Sequence, residues 1–204
     1  GDVRFTSGVS SRLRVISVMD YLSESTTLDA LNVTEICTST SISRANFYRL
    51  FSDKYDAVNW YITLVHRLGH AQTGRTLGWY DASVVSLSGY SLMHNLMRAA
   101  VASQGYDSPM AISMRLRRAD LIETLVSHKK MAVDERLAFQ VSFFCQAEVP
   151  IVNAWFADMD PSVEEMATRI ESCVPSWLHD LLDMPTRPQT DASRLTIGRL
   201  LALK

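Results

Sequence analysis

Within the run ISRANFYRLFSDK, residues 42–54, Arg44, Asn46, Tyr48 and Arg49 carry hydrogen-bonding groups suited to reading nucleic acid. A guanidinium can donate in a fork to O6 and N7 of guanine, and a carboxamide can pair with N6 and N7 of adenine. Both pairings are made in the major groove of duplex DNA, which admits an α-helix. If the run is helical, Ser43, Arg44, Ala45, Asn46, Tyr48 and Arg49 face outward. The same groups are equally compatible with the plain polar surface of a small helical head, so the elements that hold them carry the argument.

Those elements lie in residues 32–58. Asn32 can cap a helix, with Glu35 three residues later at capping-box spacing. Ile36 points inward from it, and the polar run 38–41 breaks it. Ser43 can cap a second helix, RANFYRLF, whose Phe47 and Phe51 (i, i+4) face the core. Asp53 can cap a third, starting KYDAV. Two short helices joined by a turn, the second polar on its outer face, have helix-turn-helix geometry.

Ile36, Ile42-Ser43, Phe47-Tyr48, Phe51 and Lys54 fall at the spacing of the TetR family of bacterial transcription regulators, and FYRLFSDKYDAVNW resembles a branch whose fourth helix begins Asp-Lys-Tyr-Asp and continues to a Trp. The sequence departs from the pattern at the turn glycine, here Ser41, at the alanines, here Cys37, Ser39 and Thr40, and at Leu50, where an aromatic is usual. A serine at the turn requires either a left-handed backbone or a rearranged turn. The resemblance implies an all-α, TetR-like protein: a three-helix helix-turn-helix head for DNA over residues 1–56, a helical ligand-binding and dimerisation bundle over 57–183, and a tail over 184–204. It implies phosphate contacts from Tyr48 and Lys54. Lys54 would stand at a helix N-terminus, where backbone N–H groups favour an anion, and Thr34 could add a contact from the preceding helix.

Charge pulls the other way. Residues 1–56 hold six basic residues (Arg4, Arg12, Arg14, Arg44, Arg49, Lys54) and seven acidic ones (Asp2, Asp20, Glu24, Asp29, Glu35, Asp53, Asp56), a net of −1. A phosphate-binding surface normally has a basic footprint. Two arrangements remain open: the cations cluster on one face while the acids point elsewhere, or a TetR-like module binds a protein partner in place of DNA.

The 204-residue chain, 47% hydrophobic and 21% charged with only 8 Gly and 6 Pro, suits a helical globular protein. Its cysteines, Cys37, Cys145 and Cys173, form no CxxC, so neither a disulfide framework nor a zinc site is expected and a cytoplasmic location is the simplest. GDVRFTSGVS has no apolar signal core, and the apolar run 138–157 is interrupted by Gln140, Gln146, Glu148 and Pro150, so no membrane span is expected. No Ser–His–Asp signature, HExxH, glycine-rich phosphate loop or dinucleotide fingerprint is present, and Cys145 reads as a packed thiol. A small all-α enzyme is the least favoured reading, and no cofactor or metal is expected. Asp158, Asp160, Glu164 and Glu165 read as acids of a helix start.

Along the body, the helix from Asp53 is expected to run to about Gly74 or Gly78. SVVSLSGYSLMHNLMRAAVAS reads as one buried helix, and Ser108 as the cap of the next. In that next helix Arg115, Arg117, Arg118 and Asp120 read as a solvated stripe. A long helix containing Pro150 follows, then one with an Asp cap ahead of Pro161, a short one after Pro175, and a tail carrying Leu195, Leu200 and Leu201. Methionines and aromatics suit an adaptable apolar pocket. The resemblance places an inducer pocket in this body, and Trp79, Tyr80, Met93, Met97, Met114, Phe143 and Trp155 are the candidate contacts for a small apolar or aromatic inducer. Apolar residues lie on more than one face of the segments 141–155 and 163–182. In the family, the corresponding pair forms a four-helix homodimer interface.

Overall fold

In the computed structural model, residues 8–103, 109–184 and 194–203 are described. The expected cap Ser108 and residues 185–193 and 204 of the tail lie outside them. Among the described residues the chain is all helix, with no strand. We number the helices α1 (Val9–Leu22), α2 (Val33–Thr40), α3 (Arg44–Leu50), α4 (Lys54–Leu68), α5 (Trp79–Ser91), α6 (His94–Val101), α7 (Pro109–Glu123), α8 (Glu135–Trp155), α9 (Val163–Ser172), α10 (Ser176–Leu182) and α11 (Ile197–Leu201).

The head forms as its caps dictate. Asn32 Oδ1 accepts from the Thr34 N–H at 2.7 Å, Ser43 Oγ from the Asn46 N–H at 3.1 Å, and Asp53 Oδ1 from the Asp56 N–H at 2.8 Å. Ile36, Phe47 and Phe51 are buried, together with Leu13, Ile16 and Met19 of α1. This apolar core does not stop at residue 56. It runs on through Val58, Tyr61 and Val65 of α4 into Leu87, Leu96 and Met97 of the body.

Several expectations for the body need correction. α4 ends at Leu68, well short of Gly74 or Gly78. At Gly69 a Cβ would fall 2.3 Å from Ser86 Oγ and 2.7 Å from the Ala82 carbonyl, so α5 approaches backbone to backbone and only glycine fits. A 3₁₀ turn, His70–Gln72, follows. The expected single helix over 83–103 is two, α5 and α6, because Met93 leaves helical geometry (φ −124°, ψ 54°). α8 continues through Pro150. Ser162, not Asp160, caps α9, accepting from the Glu165 N–H at 3.3 Å. The separate short helix expected after Pro175 does form, as α10.

α7 packs along α8 and α4, α9 along α5, and α6 against α1. A second apolar cluster, Trp79, Leu121, Leu125, Val141, Phe144, Cys145 and Leu178, fills the end of the body away from the head. The tail is partly structural: α11 packs on α1, Leu195 and Leu200 are buried, and the Leu195 N–H donates to Ser88 Oγ at 2.9 Å.

Candidate nucleic-acid interface

The turn between α2 and α3 resolves the missing glycine. Ser41 adopts the left-handed conformation itself (φ 58°, ψ 42°), and the Ile42 N–H closes onto the Cys37 carbonyl at 3.1 Å. The turn is retained at a cost in backbone strain, and α3 follows with Ser43, Arg44, Ala45, Asn46, Tyr48 and Arg49 all exposed.

Three of the expected contact residues come together. Arg44 Nη1 donates to Thr34 Oγ1 at 2.7 Å, Nη2 reaches the Tyr48 hydroxyl at 3.4 Å, and the guanidinium lies over the Tyr48 ring, 5.7 Å from its centroid. Thr34 therefore joins the outer face of α3 from the start of α2. Asn46 and Arg49 flank this group, and among the described residues the Arg49 side chain has no hydrogen-bond or ion-pair partner. Ser43 spends its side-chain oxygen on the cap. Lys54 is placed differently: its half-buried ammonium donates to the carbonyls of Leu31, at 2.8 Å, and Asp29. It ties the start of α4 to the loop before α2, a role that its charge alone does not reveal.

The acids of the head are largely turned to internal work. Asp53 caps α4, Asp56 Oδ2 accepts from the Ser52 N–H at 2.8 Å, and Asp29 accepts from the Tyr55 hydroxyl at 2.5 Å. Burial raises the pKa of Asp20, and its carboxylate accepts from the Leu96 N–H of α6 at 2.9 Å, linking head to body. Arg12 is internal as well, donating to the Leu50 carbonyl at 3.2 Å beneath Phe51 and Trp60. Arg44 and Arg49 consequently dominate the outer face of α3 despite the negative net charge of the head.

No family model matches the chain, nor does any curated protein. Among solved structures it is similar to the dihydroxyacetone kinase operon activator DhaS, with 14% identity and a TM-score of 0.60 over 84% of this chain and 96% of that one. The fold is TetR-like. A weaker likeness, with a TM-score of 0.44 and 16% identity over 84% of this chain and 97% of the other, is to the TetR family repressor AlkX from Dietzia sp. strain DQ12-45-1b, implicated in biodegradation of n-alkanes.

The candidate ligand residues of this TetR-like body do not converge on one cavity. Trp79, with Met114 packed nearby, belongs to the distal cluster; Tyr80, Met93 and Met97 belong to the main core; and Trp155 lines an outer groove. Phe143 points away from all of them, at 69% exposure, because its neighbour Phe144 occupies the inward face of α8. A small polar pocket lies elsewhere. A cavity of about 20 Å³, room for a single water, is lined by His66, His70, Tyr90, Arg117, Glu148 and Phe156, among others.

The residues around that cavity correct the expected solvated stripe. Arg117 is not part of a solvated stripe. It is buried, donates to both oxygens of Glu148 at 2.6 and 2.9 Å, and donates to the His70 carbonyl at 3.0 Å. Burial opposes the charge on Arg117, and Glu148 more than restores it. Asp120 is engaged too, with His66 Nε2 at 2.7 Å and Arg75 at 3.6 Å. Its carboxyl resists the effect of burial and is held below the usual range by His66, Arg75 and Arg117. Burial lowers the pKa of His66, and lowers that of His70 further, with Arg117 adding to the effect. A local signal existed: Arg117 lies four and eight residues before the buried Leu121 and Leu125, on the same helix face. A lone Glu148 in an apolar run was the other half.

Proposed function

We propose that this chain is a DNA-binding transcriptional regulator, a ligand-responsive repressor that acts in the cytoplasm as a homodimer on a palindromic operator. The observation that carries the reading is the outward face of α3, where Arg44, held by Thr34 and Tyr48, stands beside Asn46 and Arg49. Arg44 and Asn46 are the base-reading groups. Thr34, Ser43, Tyr48 and Arg49 make backbone contacts, and Lys54 fixes the loop that leads into α2, whose first turn carries Thr34. The TetR-like fold and its likeness to an operon activator support a regulatory role.

The surface of α8 supports the homodimer. Phe139, Phe143 and Ile151 are exposed along one side of it, and a groove of about 540 Å³ between α8 and α9 is lined by Ile151, Trp155, Met166 and Ile170, among others. An apolar stripe beside an open groove suits a second copy related by a two-fold axis, burying the same faces reciprocally. The absence of a membrane-spanning helix among the described residues and the free cysteines fit a cytoplasmic location.

Ligand response is carried by α4. The 3₁₀ turn that follows its C-terminal end meets the Arg117–Glu148 pair through the His70 carbonyl, and its N-terminal end holds the head through Lys54. A small molecule that enlarges the water-sized cavity must displace this pair and thereby shift α4. Ligand and operator affinities are then reciprocally coupled. A mobility shift with the chain's own upstream DNA tests the reading. Selective retardation at low salt, weakened by Arg44→Ala and Asn46→Ala, supports it. Equal affinity for unrelated DNA, or none, favours the protein-partner alternative that the −1 charge of the head keeps open.

A further inference from the structure

The junction of α9 and α10 gathers one imidazole and three carboxylates. His179 Nε2 lies 3.1 Å from Glu171 Oε1 and 4.0 Å from Asp183 Oδ2, and the ligand atoms of Glu171, His179 and Asp183 all lie within 4.8 Å of one another. On the other side of the ring, His179 Nδ1 lies 3.7 Å from Asp180 Oδ1. None of these four residues takes part in the head or in the cavity around Arg117.

We propose that Glu171, His179 and Asp183 form a binding site for one divalent transition-metal ion, with Zn²⁺ as the best match, and that Asp180 orients His179 within it. A tetrahedral ion bonded at about 2.0–2.2 Å to nitrogen and oxygen holds its ligand atoms about 3.4 Å apart. The separations of 3.1 and 4.0 Å straddle that value, so small rotations of side-chain ends close the set. His179 lies on α10 and Asp183 caps the C-terminal end of that helix four residues on, while Glu171 comes from α9, so the three approach from two helices joined by the turn at Pro175.

Two further features favour an ion over a simple surface charge cluster. A histidine that gives Nε2 to a metal keeps its proton on Nδ1 and needs an acceptor there, and Asp180 stands on that side. Asp183 is also backed by protein: a Cβ at Gly78 would fall 2.9 Å from Asp183 Oδ1 and 2.8 Å from the Met184 carbonyl. The chain leading into α5 thus packs against one carboxylate oxygen, while the other is the one nearest His179. One nitrogen and two carboxylate oxygens suit Zn²⁺ or Co²⁺ better than Ca²⁺ or Mg²⁺, which favour all-oxygen sets. An open fourth position falls to water. Because Gly74 and Gly78 pack against Leu182, Asp183 and Met184, the ion would brace the α9–α10 turn against the segment that follows α4.

The test is calorimetric titration of the metal-stripped full chain with Zn²⁺, and absorption spectroscopy with Co²⁺. The variants are His179→Gln, Asp183→Asn and Cys173→Ser, with helicity checked by circular dichroism. The expected result is one ion per chain, saturating well below about 1 mM. Affinity falls at least about tenfold in His179→Gln and in Asp183→Asn. Cys173→Ser leaves it unchanged, and the Co²⁺ spectrum lacks thiolate charge transfer. Should His179→Gln fail to fold, Asp183→Asn carries the comparison. No binding by about 1 mM, binding that survives both variants, or binding lost in Cys173→Ser overturns the proposal; the cluster is then an ion pair of His179 with its carboxylates.

Discussion

Arg44 donates from Nη1 to Oγ1 of Thr34 at 2.7 Å, joining the outward helix of the head to the helix before it. The bond restrains a long side chain that otherwise samples many rotamers, so less freedom is lost when it meets a base. Arg44→Ala is expected to cost about 1–3 kcal/mol of binding to a selected operator, the scale of one base contact. Thr34→Ala leaves the base contact in place and costs about 0.5–1.5 kcal/mol, the scale of one hydrogen bond. Fluorescence anisotropy with the operator and with a scrambled duplex checks both: the Arg44 variant loses discrimination, and the Thr34 variant loses affinity.

The left-handed Ser41 makes a prediction of opposite sign. A non-glycine residue in that conformation is strained by about 1–2 kcal/mol, part of which is offset by the extra freedom glycine gives the unfolded chain. Ser41→Gly is expected to raise stability by about 0.5–1 kcal/mol in urea denaturation without changing the slope. An unchanged or lower midpoint contradicts the strained turn.

Arg117 and Glu148 form the buried ion pair of the body. Removing one member strands the other charge away from water, so Glu148→Gln is expected to destabilise by about 3–5 kcal/mol. Replacing both by apolar residues of similar size, Arg117→Met with Glu148→Leu, is expected to recover most of that loss. Equilibrium unfolding of the single and double variants completes the cycle. Additive losses would contradict a direct pair.

The paired histidines set an acid-side pH dependence. His66 and His70 are held neutral by burial, so their folded pKa values lie below the unfolded value of about 6.5. Below that pH the unfolded chain takes up protons that the folded chain resists. Stability is therefore full above about pH 6.5 and falls as pH drops toward the folded values, by up to about 1.4 kcal/mol per pH unit for each histidine. His179 is shifted the other way, chiefly by its hydrogen bond with Glu171, but it is more exposed and its effect is screened. Urea denaturation between pH 7.5 and 5 checks the sign, and His70→Gln is expected to flatten the slope.

The head is legible in the sequence because its determinants are local: caps at Asn32, Ser43 and Asp53, and the i, i+4 pair Phe47 and Phe51. Even the strain at Ser41 follows from one missing glycine. The body is less legible because its determinants are pairings across long separations. Arg117 meets Glu148 thirty-one positions away, and His66 meets Asp120 fifty-four positions away. Periodicity alone cannot tell such a pair from a solvated charge. Lys54 shows the same limit inside the head, since its partners are the backbone carbonyls of Asp29 and Leu31 and no side-chain pattern marks them. The early end of α4 depends on the close approach of α5 at Gly69, which becomes visible only once both helices are placed.

In the proposed function α3 reads DNA in a two-fold dimer. The most direct measurement is selection of bound sequences from a random duplex pool by the full chain at low salt, followed by footprinting of the winner. The expected result is enrichment of a palindrome with half-sites one helical turn, roughly 34 Å, apart, and loss of that enrichment in the Arg44→Ala, Asn46→Ala double variant. A pool that stays random through selection, with the protein folded and dimeric, would contradict it.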